Sequence, residues 1–432
     1  MTNDVRLIAF YLPQFHPTPE NDKWWGKGFT EWTNTTKAQP LFAGHYQPHL
    51  PTDLGFYDLR LRAARHDQIN LAKQYGIDAF CYHYYWFSGK RLLHEPIDDM
   101  LADPESEMPF CLCWANENWT RRWDAAEKEV LIAQKYRPGD DLEFIKSVIP
   151  FFEDSRYVRL DGAPVLIVYR PQHLPDSKES IRIWREYCAT IGIPKLHLVC
   201  ALTHGNLNYE EYGFDAGVEF PPHHPSVSSV THEIDYYNPF TGVVFDFKDI
   251  ATLYLEREYP GSNVHRAVFP SWDNTARLGA RALVTLNGTP ENYEFWLKET
   301  VRRTRLDFPD EDRLVFINAW NEWAEGCHLE PDRKYGRRFL EATQRVKLGI
   351  SDTVGFAHVD PPVRKISAVA VTSAEPVTMA EQPAPPRQYT KRSAADKALM
   401  AGRRTVGAAL KPFPEVRKRA VQVYLALFDR GN

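Results

Sequence analysis

No apolar run in this sequence of 432 residues approaches the roughly 18 needed to cross a bilayer as a helix, so no spanning helix is expected. The six cysteines (Cys81, Cys111, Cys113, Cys188, Cys200 and Cys327) fall in apolar segments or close to one and form no paired CxxC pattern. That spacing argues against a disulfide framework or a zinc ribbon and for reduced, buried thiols. Neither GxGxxG nor GxxxxGK[ST] follows any strand-like segment, which weakens a nucleotide-binding fold. The opening MTNDVRLIAFYLPQF lacks a basic n-region, an apolar h-region and a small-residue cleavage site. A cytoplasmic location is the expectation.

Aromatic residues, by contrast, are plentiful and clustered, with 12 Trp, 21 Tyr and 24 Phe, as expected where rings stack on a ligand. The net charge of -5 hides an asymmetry, because residues 362–432 carry 13 Lys and Arg against 5 Asp and Glu. The remainder is acidic and unsuited to nucleic acid. Residues 361–392, rich in Pro, Ala, Ser and Thr, read as a flexible linker. Residues 393–432 read as a basic amphipathic helical tail suited to peripheral contact with a membrane or a protein partner. Residues 1–360 are left as a single catalytic domain.

Within that domain, eight strand-length apolar runs alternate with helix-period segments. The runs span residues 5–11, 79–86, 110–115, 164–169, 196–202, 216–220, 267–272 and 314–319. Helical patterns cover 59–75, 140–152, 177–191, 247–259, 292–306 and 337–346. The links after the second and fifth runs look short or irregular, and residues 19–51 look like a long aromatic loop without helix or strand period. Such a loop is usually a lid or binding wall. Near-continuous apolar strands alternating with helices predict an α/β fold, a (β/α)8 TIM barrel.

In a barrel the C-terminal ends of all strands converge on one face, where active sites lie. The last run continues as LVFINAWNEWAEG over 314–326, with Trp320, Asn321, Glu322, Trp323 and Glu325 beyond the strand. Two carboxylates three residues apart among indoles are what sugar chemistry needs: one acid held protonated, one carboxylate held ionised, and flat faces for the pyranose. Trp320 and Trp323 should make the surroundings partly apolar and raise the pKa of the more enclosed carboxyl. Glu322 and Glu325 are therefore the candidate catalytic pair, with Trp320, Asn321 and Trp323 as candidate substrate-binding residues, and the plain alternative is a solvated turn.

The other strand ends supply candidate substrate-binding residues. These are His83, Tyr85 and Trp86 in YHYYW, then Trp114, Asn116 and Glu117 in WANENW, then Tyr169, and finally Trp272, Asp273 and Asn274. Glu117 has a structural alternative as partner of Arg121 or Arg122. His223-His224 lacks a further ligand at metal spacing, and no metal or other cofactor is expected. Asp310-Glu311-Asp312 matches a DxD pattern but precedes a strand, on the far face of a barrel, and reads as a solvated acidic loop.

These stretches resemble the WbsX family, also described as glycoside hydrolase family 99-like. The resemblance is carried by IAFYLPQFHPTPENDKWWGKGFTEWTN, HYQPHLPTDLGFYDLR, GIDAFCYHYYWF, FCLCWANENWTRRWD, FDAGVEFPP, WDNTAR and NAWNEWAEG. It covers roughly residues 5–350 and leaves the tail outside. It implies a (β/α)8 barrel acting on glycans, often encoded with bacterial surface-polysaccharide genes, and no metal. It further implies retaining chemistry in which Glu322 deprotonates a sugar 2-hydroxyl to give a 1,2-anhydro intermediate and Glu325 serves as acid, then base. Ala324 stands where family 99 proper tends to have histidine, which puts an identical substrate in doubt. Mannose or rhamnose, as manno-configured sugars, suit the 2-hydroxyl route.

Three functions follow. The first is a glycoside hydrolase cleaving α-linked manno-configured units of a bacterial surface polysaccharide. The second is a glycosyltransferase of O-antigen or lipopolysaccharide biosynthesis, favoured by the missing signal peptide. The third is a non-catalytic glycan-binding module, against which the paired glutamates argue. The site chemistry favours the hydrolase.

Overall fold

Apolar strands separated by amphipathic helices bury both faces when the strands run parallel and the helices pack outside. A computed structural model describes residues 4–357 except 125, 126, 224, 310 and 311. Eight parallel strands close into a barrel: β1 (Arg6–Tyr11), β2 (Ala79–Phe87), β3 (Phe110–Trp114), β4 (Ala163–Val168), β5 (His197–Leu202), β6 (Ala216–Glu219), β7 (Val264–Val268) and β8 (Leu314–Ile317). Each pairs with its successor, and β1 pairs with both β2, from Ile8↔Ala79, and β8, from Arg6↔Leu314. Closure leaves this sheet no open edge.

Helices Arg62–Gln74, Asp140–Phe152, Ser177–Thr190, Phe247–Glu256, Pro290–Asp307 and Arg338–Lys347 occupy the expected segments. Three details depart from expectation. The seventh strand is Val264–Val268 and ends before Pro270, which has no N–H for a ladder. Trp272 therefore sits in the following loop, tied to Thr285, whose N–H donates to the Trp272 carbonyl at 2.8 Å. A helix, Glu95–Ala102, follows β2 where the link looked irregular. Residues 19–51 hold two seven-residue helices, Pro19–Trp25 and Glu31–Lys37. Two turns are too few for an apolar period to show, and these helices are marked instead by their caps. Thr18 accepts from the Asn21 N–H, and Thr30 forms a capping box with Thr33.

Side chains alternate between the barrel interior and the helix layer. Phe10 meets Phe220 at 4.6 Å, Phe316 at 5.4 Å and His83 at 5.9 Å between ring centroids, which marks the interior. The opposite parity faces the helices. Trp114 stacks on Phe144 at 3.8 Å, and Trp86 meets both Trp114 and Phe144. No helix among the described residues is long and apolar enough to cross a membrane. The linker and the basic tail expected over 361–432 lie outside the described residues, as do His224 and the Asp310-Glu311 pair.

Candidate active site

At the C-terminal ends of the strands, β8 runs into the short segment Asn321–Glu322 and a single 3-10 turn, Trp323–Glu325. The turn projects Glu322 and Glu325 into a cavity of about 310 Å³ together with His83, Tyr85, Glu117, Tyr169 and Trp272. A second cavity of about 600 Å³ shares Tyr85, Asn118, Trp119, Arg277 and Glu322 with the first. The two form a continuous cleft with Glu322 on the shared wall.

Arg277 joins the carboxylates. Its Nη1 donates to Glu325 at 2.6 Å, its Nη2 to Glu322 at 2.8 Å and its Nε to Glu31 at 2.8 Å. Burial disfavours the guanidinium charge, but Glu31, Glu325 and Glu322 outweigh it and hold the pKa far above the ordinary arginine value. The Glu325 carboxyl is pushed up to about 7, chiefly by burial, with Arg277 pulling it down and Glu322 and Glu31 pushing it up. An acid with that pKa can hold a proton and give it up near neutrality. Burial pushes the His83 imidazole down, but Cys113 and the Glu322 and Glu325 carboxylates reverse this to a net rise. Glu117, at the rim, pairs with Arg170.

Eight of the expected binding residues lie outside this cavity, each for a local reason. His83 and Tyr85 point inward on β2, so Trp86 points outward, and Trp114 does the same on β3; both are fully buried against the helices. Trp320 packs on Phe80, and Trp323 stacks between Trp32 and His328. These two indoles back the carboxylate turn and supply its apolar surroundings. Asn116 and Asn321 act as backbone mimics. The Asn116 amide exchanges hydrogen bonds with the N–H and C=O of Arg170, each at 2.8 Å. The Asn321 amide does the same with Leu12 at 2.8 and 3.0 Å. Each side chain stitches one strand end to its neighbour.

In WDNTAR, only Trp272 and Arg277 reach the cavity. Asp273 accepts from His45 at 2.6 Å and Gln47 at 2.7 Å, which ties the early loop to the barrel rim. Asn274 accepts from the Leu283 N–H at 2.8 Å and precedes the turn of helix Thr275–Leu278 that carries Arg277.

Arg277, Glu31 and Glu330 carry no signal in the residue pattern that marks them as site residues. Glu31 and Arg277 stand within quoted motifs, but nothing in their spacing marks them as partners of a glutamate pair. Glu330 is buried behind the turn, where it accepts from Trp323 Nε1 at 2.6 Å, Gln68 Nε2 at 2.6 Å and the Tyr57 hydroxyl at 2.8 Å. An amide at this position would turn an NH2 toward one of these donors. Glu330→Gln is therefore expected to cost about 1–3 kcal/mol, read by urea unfolding, because a buried donor loses its acceptor.

The model of the family described as Glycosyltransferase WbsX matches residues 7–343. The chain belongs to the WbsX family. Two curated relatives from Xanthomonas campestris pv. campestris, each called uncharacterized protein WxcX, are 46% identical to it over 345 residues. The match covers 80% of the chain and 50% of either relative, so this WbsX-family chain spans about half the length of the curated relatives it matches. Among solved structures, a glycoside hydrolase-like protein superposes with a TM-score of 0.51 at 14% identity, covering 80% of this chain and 94% of that one. The GH99 endo-alpha-mannosidase from Bacteroides thetaiotaomicron gives 0.46 at 12% identity, covering 80% and 97%. The first likeness shows a shared barrel fold.

Proposed function

We propose that this WbsX-family chain is a retaining glycoside hydrolase that cleaves α-linked manno-configured sugars, mannose or rhamnose, in bacterial surface polysaccharide. The observation that carries the proposal is the Glu322–Arg277–Glu325 arrangement on the wall of an aromatic cleft, with one carboxyl raised to about 7. Glu322 takes the proton of the sugar 2-hydroxyl as O2 closes on C1, while Glu325 gives its proton to the departing glycosidic oxygen. The product of this step is a 1,2-anhydro sugar and a free alcohol. Glu325, now a carboxylate, takes a proton from the water that opens the ring at C1, and Glu322 returns its proton to O2. Two displacements at C1 give net retention. The assignment of the two roles rests on the family 99 resemblance. The geometry supports it by keeping both carboxylates on one guanidinium, with the neighbouring Glu322 and Glu31 charges adding to desolvation in favour of a proton on Glu325.

The cleft extends on both sides of Glu322, which suits an extended glycan. Trp119 lines both cavities and is held by edge contacts with Tyr85 and Trp24. Trp119→Ala is expected to raise KM by roughly tenfold with kcat within about threefold, the signature of lost stacking in ground and transition state alike. Initial-rate kinetics on an oligosaccharide check this.

A second reading, transfer from a phosphate-activated sugar, is favoured by one feature. Lys37, Arg277 and Arg281 line the 600 Å³ cavity and would suit a donor phosphate. The two readings separate in one assay. Wild-type enzyme is given α-mannans and rhamnans, and reducing sugar is measured. In parallel it is given labelled nucleotide- or lipid-phosphate sugar with acceptor. Release of reducing sugar supports the hydrolase; incorporation of label without release overturns it.

A further inference from the structure

We propose that His49, His328 and Asp332 form a binding site for a divalent transition-metal ion of the zinc class, behind the wall of the catalytic cleft. His49 lies in the long segment after β1, and His328 and Asp332 follow the catalytic turn. The two segments are laced together, with the Thr52 N–H donating to Pro331 O at 3.1 Å and the Arg333 N–H to Leu50 O at 3.0 Å. All three side chains are buried. His49 Nδ1 is 2.9 Å from His328 Nε2, His328 Nε2 is 4.0 Å from Asp332 Oδ2, and the three ligand atoms lie within 4.8 Å of one another. Bonds of about 2.0–2.1 Å at tetrahedral angles place ligand atoms roughly 3.3 Å apart, so shifts on the order of 1 Å close this set around one ion.

The surroundings orient each ligand. His328 Nδ1 is 2.9 Å from the Glu330 carbonyl, which can only accept, so Nδ1 carries the proton and Nε2 presents its lone pair. A carbonyl on the distal nitrogen is the usual support of a metal-bound imidazole. Asp332 Oδ1 accepts from the backbone N–H groups of Lys334 at 3.0 Å and Tyr335 at 2.6 Å, leaving Oδ2 toward the histidines. The Tyr46 ring lies 4.4 Å from that of His49.

His49, Tyr46 and Asp332 face a cavity of about 240 Å³ that supplies room for a fourth ligand. Lys334, over the rings of Tyr46 and Tyr335, lines the same cavity, and its charge weakens the site without removing a ligand. Among the described residues, the His49 and His328 rings bond only to each other at these nitrogens, so a shift of one proton frees both lone pairs for the ion. Neighbouring His45 has no such freedom, because Nδ1 accepts from the Leu41 N–H and Nε2 is bonded to Asp273. Two imidazoles and one carboxylate suit zinc, cobalt or nickel rather than calcium or magnesium. On binding, the His49 proton passes from Nδ1 to Nε2, and the cation replaces the histidine–histidine hydrogen bond.

The ion would join the loop that holds Asp273 to the segment after the glutamates, and the Asp273 N–H donates to the Glu325 carbonyl at 2.6 Å. The test uses the full chain, stripped with EDTA and dialysed. Isothermal titration with zinc chloride is expected to give one ion per chain, and saturating zinc to raise the melting temperature by roughly 3–6 °C, with magnesium and calcium inert. His49→Gln and Asp332→Asn should each abolish the shift. Cobalt in place of zinc should show the visible d–d bands of a tetrahedral site in the wild type, a readout that needs no variant to fold. Absence of stoichiometric zinc binding and of those bands overturns the proposal, as does zinc binding by both variants equal to that of wild type.

Discussion

Glu325→Gln is expected to lower kcat/KM on a natural α-glycoside by about 10²–10⁴-fold, the range that a positioned acid–base group supplies. On an aryl glycoside with a good leaving group the same variant should lose far less in the bond-breaking step, because that departure needs no proton. Glu322→Gln should lose activity on both substrates, since deprotonation of the 2-hydroxyl is required whatever leaves. This contrast separates the two roles. Equal losses in both variants on both substrates would sink the assignment. The pH profile gives a second check. As the acid we propose, Glu325 would work protonated, and its carboxyl stands at about 7 because burial outweighs the pull of Arg277. The wild-type kcat/KM should therefore fall as pH rises through about 7, and that alkaline limb should vanish in Glu325→Gln assayed on the aryl glycoside.

The barrel was legible because each strand is an apolar run too short to be a helix and six of the eight are followed by a helix-period segment; residues 314–319 and 337–346 are one such pair. The candidate site was legible at the level of which strand ends meet and not at the level of side-chain direction. In YHYYW every residue is aromatic, so the period-2 signal that would separate His83 and Tyr85 from Trp86 is absent from composition. It emerges once Phe10, His83 and Phe220 are seen to meet inside the barrel. Asn116 and Asn321 look like sugar ligands by residue type. Their amides instead bond backbone 54 and 309 residues away, a use that depends on which strands become neighbours. Arg277 was hidden for the same reason, lying 45 residues before Glu322 and 246 after Glu31. The metal-ligand set is hidden further still, because His49 joins His328 across 279 residues.

Arg277→Gln is the second variant with a large expected effect, and its sign is fixed by what the guanidinium holds apart. Glu31, Glu322 and Glu325 all bond to it, with side-chain exposures of 2%, 9% and 20%. Breaking a buried ion pair from one side costs about 3–5 kcal/mol, because the remaining charges stay buried without a partner. The loss should depend on pH. Glu325 already has a folded pKa near 7, above its unfolded value, so its contribution to stability is fullest at low pH and is lost as pH rises from the unfolded pKa through about 7. Removing Arg277 raises the folded pKa again, since Arg277 is the cation that lowers it, and the loss then continues to higher pH. The gap in unfolding free energy between wild type and variant should therefore widen between pH 5 and pH 8, as measured by urea titration at each pH. The alkaline limb of activity should move upward for the same reason, with a fall in kcat of about 10²-fold as the carboxylates lose their shared anchor. Arg277→Lys keeps the charge but cannot bond three carboxylates from a planar fork. It should return the limb toward pH 7 and leave much of the loss in kcat, which distinguishes the electrostatic part of the role of Arg277 from its positioning part.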